Sequence, residues 1–293
     1  MKGCMLCPRR CGAARGNGIR GACGIADGIF VARAAAHHFE EPPISGKNGS
    51  GTVFFAGCSL GCIFCQNKEI SRGSYGKCYT EEELAALFLS LAESGVHNLN
   101  LVTATHYTDR VARALATVKP QLKIPVVWNS SSYETPEALQ LLEGLVDIYL
   151  PDFKYISPDL AKACSGAADY AAVATAALLE MHRQVGAAQF DADGMMTKGM
   201  IVRHLLLPGC RHDSEAVLQH LAATLPIADI RLSLMRQYTP DFAPKGAPRH
   251  LLRRVTTFEY QKVAELAQAL GFEGFLQDAA AATAAYTPDF SEK

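Results

Sequence analysis

Short apolar runs and helical segments take turns along most of the chain, and this alternation limits the fold more than any other feature. The run GTVFFAG (Gly51–Gly57) is apolar, β-branched and aromatic, as a buried strand is. Comparable runs recur in HNLNLVTA, IPVVWNSS, LVDIYLPDF, GMIVRHLLLPG, DIRLSLMRQY and the short GFLQ. Helix signals lie between them. Thr80 and Glu83 form a capping box, Thr135 and Pro136 open another helix, and Thr256 and Glu259 form a second capping box. An alanine-rich helix is predicted over Tyr170–Val185, and FDADGMM predicts a hairpin turn.

About six βα units in succession imply a parallel sheet, because parallel strands need helical crossovers. Eight units close a full barrel. The expected fold class is therefore α/β: a partial (β/α)6 TIM-like barrel over residues 51–293, preceded by an N-terminal cysteine-rich extension over residues 1–50. The 293 residues suit one such domain with small appendages. The extension shows little periodic structure.

No apolar run approaches the roughly 18–20 residues of a membrane span, and MKGCMLCPRRCG lacks the apolar segment of a signal peptide. A cytoplasmic location is expected. A net charge of −1 gives no global field for nucleic acid or membrane. Five basic residues (Lys2, Arg9, Arg10, Arg15, Arg20) precede the first acid, Asp27; they form a solvated basic face or a surface for phosphate or an acidic partner.

Ten cysteines in such a chain point to metal or redox chemistry rather than disulfides. Cys58, Cys62 and Cys65 form a C-x3-C-x2-C array directly after the first strand, at the end where chemistry gathers in such barrels. Three thiolates suit a [4Fe–4S] cluster with one iron left open. A zinc ion closed by Cys78 or a distant histidine is the competing assignment. Cys4, Cys7, Cys11 and Cys23 form a second, four-cysteine set that could hold zinc or an auxiliary [4Fe–4S] cluster.

Polar residues follow the later strands. Thr103, Thr105 and His106 end the second run; His106 is either a ligand contact or a hydrogen-bonded core imidazole. Asn129 and Ser131 end the third run, where they bind ligand oxygens or shape the turn. Asp152 and Lys154 end the fourth and share one side by alternation, as a ligand site or an ion pair. Arg203 and His204 must point to opposite faces, so at most one readily reaches the barrel interior. The segment HHFEEPP, with Glu40 and Glu41, is a candidate loop over the substrate opening.

At Cys58, Cys62, Phe64 and Cys65 the chain resembles the radical S-adenosylmethionine (SAM) superfamily, whose signature is C-x3-C-x-φ-C with φ aromatic. The resemblance implies that SAM chelates the fourth iron, that reductive cleavage yields a 5′-deoxyadenosyl radical, and that Phe64 packs near the adenine. The superfamily's Gly-Gly-Glu-like stretch for the SAM amino group is absent, which leaves Thr105 and His106 as candidates for that role. The residues DFK after strand four and RHLLLPG resemble the activating enzymes of glycyl-radical enzymes, such as pyruvate formate-lyase activase. The whole set of motifs, from CMLCPRRCG through CIFCQN and NLVTATHY to DIYLPDFKY, resembles an uncharacterised activase-like iron–sulfur branch.

By that resemblance Asp152 and Lys154, with Arg203, belong to the SAM site. The implied partner is a glycyl-radical enzyme or another protein or peptide substrate, and the implied reductant is flavodoxin or ferredoxin. Two other functions stay open: a radical SAM enzyme acting on a small molecule, peptide or nucleic acid, and a non-catalytic zinc-binding adaptor.

Overall fold

The computed structural model describes residues 3–73, 75–277, 281, 288 and 290. Its strands are β1 (Ile29–His37), β2 (Ser50–Phe55), β3 (Lys77–Tyr79), β4 (Leu99–Val102), β5 (Val126–Ser130), β6 (Ile148–Pro151), β7 (Gln189–Phe190), β8 (Met196–Leu205), β9 (Ile230–Met235) and β10 (Gly274–Leu276). Its α-helices are α1 (Pro42–Ser45), α2 (Glu81–Glu93), α3 (Thr108–Val118), α4 (Pro136–Gln140), α5 (Pro158–Ser165), α6 (Tyr170–Val185), α7 (Arg211–Thr224) and α8 (Thr257–Ala269).

The strands lie in the order β10-β9-β8-β6-β5-β4-β2-β1-β3, with β7 hairpinned onto β8. From β2 to β10 along this path all neighbours are parallel. Helices supply the crossovers between them, so the sheet is an open α/β barrel as the alternation required. Both capping boxes form, at Thr80/Glu83 and Thr256/Glu259. Every residue of β2, β4, β5 and β6 is buried, which is why these strands read as near-continuous apolar runs.

Alternation splits each strand between two layers. Val126 and Trp128 of β5, Tyr149 of β6 and Met200 and Val202 of β8 join the large core that also contains the helices' apolar faces. Val127, Ile148, Leu150 and Ile201 face the other way and form a smaller interior core with Ile44 and Met196. Asn129, Asp152 and Arg203 follow that second set in register, so they rise from the apolar base into the barrel interior.

One expectation changes. The extension is not a separate lead-in, because β1 pairs antiparallel with β2, from Val31↔Phe55 to His37↔Ser50, and β3 pairs with β1. Three consecutive alanines (34–36) give β1 no apolar alternation, and its pairing is set by the free backbone edge of β2. From His37 the chain passes the N-terminal ends of the strands and inserts α1 beneath the barrel. Asn98 fixes it by donating to the Ile44 carbonyl at 2.7 Å.

Ile44 is fully buried and its partners come from three strands. Ile44→Ala is therefore expected to cost about 2–5 kcal/mol, read as a lower urea midpoint at unchanged slope.

Candidate active site

β2 runs into the loop that carries Cys58, Cys62 and Cys65. Gly57 starts it with φ +86°, and a Cβ there would stand 2.7 Å from Ile25 and 2.9 Å from the Cys23 carbonyl. Only glycine lets the loop begin against the extension this closely. The Cys58 N–H then donates to the Cys23 carbonyl at 3.2 Å.

The three sulfurs line one wall of a cavity of about 580 Å³. Each has a hydrogen-bond donor. The Gly61 N–H reaches Cys58 Sγ at 3.3 Å, the Ser165 hydroxyl reaches Cys62 Sγ at 3.1 Å, and the Asn67 N–H serves Cys65. Burial, with the neighbouring sulfurs, raises the Cys58 thiol and pushes the Cys65 thiol up to about 12. Such thiols give up their protons when a metal group takes the charge.

Among the described residues no set of three or more Cys, His, Asp or Glu is gathered closely enough for a single metal ion. Cys78 lies exposed on β3 and does not line the cavity. Three thiols with donors in place and no fourth protein ligand suit an iron–sulfur cluster with one open iron better than a closed tetrahedral ion.

The inner end of the cavity is a partly buried charge network. Arg203 Nε donates to Asp152 Oδ1 at 2.8 Å, Nη1 to Glu40 Oε2 at 3.2 Å and Nη2 to Asn129 Oδ1 at 2.6 Å. Asp152 Oδ2 accepts from Lys154 Nζ at 2.6 Å. Glu40 Oε1 accepts from Asn100 at 3.1 Å and Asn129 at 3.2 Å. Burial would raise the Asp152 carboxyl, but Arg203 and Lys154 outweigh it and hold it below its usual value. Burial likewise opposes charge on Lys154, yet Asp152 and the Cys62 sulfur raise it. Glu40 and Glu41 are raised by burial despite Arg203. The HHFEEPP segment is thus the floor of the cavity, not a loop over its opening.

Phe64, Asn129, Ser131, Asp152, Lys154 and Arg203 all line this cavity with the cysteines. Phe64 is held edge-on by Tyr155 and Tyr238, with ring centroids 6.4 and 6.0 Å away. His204 points out of the barrel, its Nδ1 2.7 Å from the Phe153 carbonyl, which leaves Arg203 inside.

Thr105 and His106 do not line the cavity, so the expectation for them is corrected. His106 Nε2 donates to the Ala56 carbonyl at 2.8 Å, and Thr105 supports the buried Glu134 carboxyl. The reason is local: Thr103 takes φ +61°, a strained value for a β-branched residue, and rotates the residues after it out of the strand's alternation. Thr103 itself lines the cavity.

The extension braces the cysteine loop. Arg9 Nε donates to the Ser59 carbonyl at 2.9 Å and Nη2 to that of Leu60 at 3.1 Å. The same guanidinium bonds the carbonyls of Ser165 at 2.7 Å and Gly166 at 2.6 Å, at the end of α5. Arg15 Nη1 donates to the His106 carbonyl at 2.8 Å. Two of the five early basic residues are therefore structural ties rather than a solvated face.

Two of the N-terminal cysteines, Cys11 and Cys23, also approach one another. A side chain at Gly21 would meet Cys11 Sγ at 3.2 Å and Cys23 Sγ at 3.6 Å. Burial raises the Cys7 thiol to about 11 and raises Cys23; at Cys11 the N–H groups of Ala13 and Ala22, with Arg15, outweigh burial and lower it.

His106 and His204 are each held at about 4 by burial, against 6.5. The unfolded chain takes up these protons at the higher value, so stability is present above pH 6.5 and falls toward pH 4, by up to about 3 kcal/mol per imidazole. Urea midpoints between pH 7 and 4.5 are expected to fall, and a His106→Gln variant to show a shallower slope than the wild type.

Comparison with known proteins agrees with this arrangement. The family model of the Radical SAM superfamily matches residues 52–186. An uncharacterised protein of Methanocaldococcus jannaschii is 30% identical over 279 residues, covering 91% of this chain and 75% of that one. A radical SAM methyltransferase from Sphaerobacter thermophilus superposes with a TM-score of 0.52 at 16% identity, over 77% of this chain and 65% of that one. The chain thus spans less than two thirds of that structure's length, and the likeness is one of fold. Methylornithine synthase superposes with a TM-score of 0.46 at 14% identity, over 75% of this chain and 68% of that one. With the C-x3-C-x2-C loop, at the end of the first parallel strand, inside the stretch that the family model matches, the chain belongs to the radical SAM superfamily, which implies a [4Fe–4S] cluster and SAM as its cofactors.

Proposed function

We propose that Cys58, Cys62 and Cys65 hold the cluster, and that the enzyme removes a hydrogen atom from a polypeptide, as the activases of glycyl-radical enzymes do. The observation that carries this reading is that three sulfurs and the Lys154 cation, anchored on Asp152, face one cavity. When bound, the cluster and SAM supply a 5′-deoxyadenosyl radical as the acceptor of the substrate hydrogen.

The chain's own residues do the rest. Lys154 offers its ammonium to the SAM carboxylate, and Asp152 keeps it charged and directed. Thr103, Asn129 and Ser131, at the ends of β4 and β5, offer polar groups for the SAM amino group and ribose. Phe64 gives the adenine an apolar wall. Arg203 uses three of its five N–H donors on Asp152, Glu40 and Asn129 and so positions those groups, with two donors left for the cavity it lines. Phe54, Leu205 and Met235 line the cavity with apolar surface that keeps water from a reactive intermediate.

The four N-terminal cysteines are proposed as a second metal site, zinc or an auxiliary cluster, supported by the shared position of Cys11 and Cys23 around Gly21; among the described residues no three of them are gathered closely enough for a single ion, so metal binding would draw them together. A small-molecule substrate is the second reading, favoured by the closed floor at Glu40 and Glu41.

Anaerobically reconstituted protein is expected to carry about one [4Fe–4S] per Cys58/Cys62/Cys65 set and to cleave SAM under reduction. The triple Cys→Ala variant should not; equal cleavage by that variant ends the reading, and metal remaining in it reports on the N-terminal set. Deuterium passing from a labelled partner protein into 5′-deoxyadenosine identifies a polypeptide donor. Lys154→Met is expected to weaken SAM binding about tenfold, or about 1.4 kcal/mol, with the iron content unchanged.

A further inference from the structure

Of the three cysteine sulfurs, Cys58 and Cys65 take backbone N–H donors, which no side-chain substitution removes. Cys62 is different. Its donor is the Ser165 hydroxyl, 3.1 Å away and 103 residues distant in sequence. Ser165 Oγ is also 3.0 Å from the Tyr155 hydroxyl, and either oxygen of that pair can donate.

A thiolate has no proton to give, and that fixes the direction. Once Cys62 is a thiolate, Ser165 must donate to it, and Tyr155 must donate to Ser165. Ser165 is 5% exposed and Tyr155 fully buried, so water does not readily replace a hydroxyl that is removed.

The backbone beneath Ser165 is held without its side chain. Ser165 is the last residue of α5, and Gly166 closes the helix in the left-handed conformation at φ +60°. The Ile63 N–H donates to the Cys164 carbonyl at 2.9 Å, so the cysteine loop is bonded directly to the last turn of α5. Arg9 bonds the Ser165 and Gly166 carbonyls, and its charge suits the negative end of the helix dipole.

We propose that Ser165, oriented by Tyr155, is a positioning residue that donates to the Cys62 thiolate and sets the reduction potential of the cluster. The inference rests on the reading that Cys62 is a cluster ligand. Reduction adds negative charge to the cluster and its sulfurs, so a hydrogen bond to sulfur favours the reduced state and raises the potential. The hydroxyl thereby eases electron entry from the reductant and lowers the driving force left for SAM cleavage. Lys154, whose charge acts on all three sulfurs, works in the same direction from the cavity side.

The test is an EPR-monitored redox titration of reconstituted wild type, Ser165→Ala, Ser165→Thr and Tyr155→Phe, with iron and sulfide counted in each. Ser165→Ala should shift the potential to a more negative value at full cluster content. Ser165→Thr keeps the hydroxyl and should titrate with the wild type, and Tyr155→Phe should give a smaller negative shift. Loss of the cluster from Ser165→Ala but not from Ser165→Thr also supports a hydroxyl requirement at Cys62. A cluster-loaded Ser165→Ala with the wild-type potential overturns the inference and leaves the ligand reading intact. A Cys62→Ala variant that keeps the full cluster overturns both.

Discussion

Arg203 is largely enclosed by the barrel, with 14% of its side chain exposed, and a guanidinium there is tolerated only if its donors find acceptors and its charge finds anions. Those partners come from everywhere in the fold. Asp152 follows β6, Asn129 ends β5, Glu40 enters from the segment before α1, and Asn100 of β4 ties Glu40 in turn. Removing a charged member leaves its partner unpaired in a partly buried site, so the network fixes the relative positions of four strands and the floor. Lys154 is the one cation of this network whose paired anion, Asp152, is shared with Arg203. Its ammonium is held toward the sulfurs by that sharing.

The cysteine loop would be poorly defined without two braces from distant parts of the chain. One is the extension, through Cys23, which packs on Gly57, and Arg9; the other is the end of α5, through Cys164, Ser165 and Gly166. Arg9 touches both. A short loop that must present three sulfurs to one cavity gains rigidity from partners outside itself.

What the sequence disclosed was largely local or periodic. The C-x3-C-x2-C spacing, the two capping boxes and the helix over Tyr170–Val185 each depend on neighbours within a few residues. Strand alternation also placed Asp152 beside Lys154 and Arg203 opposite His204. The rest depends on long-range packing. Nothing near Glu40 marks it as a barrel floor, and nothing near Ser165 marks it as a sulfur donor. Thr105 and His106 stand where the superfamily's Gly-Gly-Glu-like stretch is expected, but they follow a strand that ends at Val102 and turn away from the cavity. The left-handed Thr103 is the signal, and threonine, unlike glycine, does not announce such a conformation.

The arrangement of α5 bears on how the protein matures. The cysteine loop leaves the ribosome before α5, and the Cys62 donor follows 103 residues later. Until α5 has been made and docked, the loop has only its extension side in place. Cluster delivery before that point would meet an unfinished cradle, so on the proposed ligand set assembly of the cofactor follows the synthesis of α5.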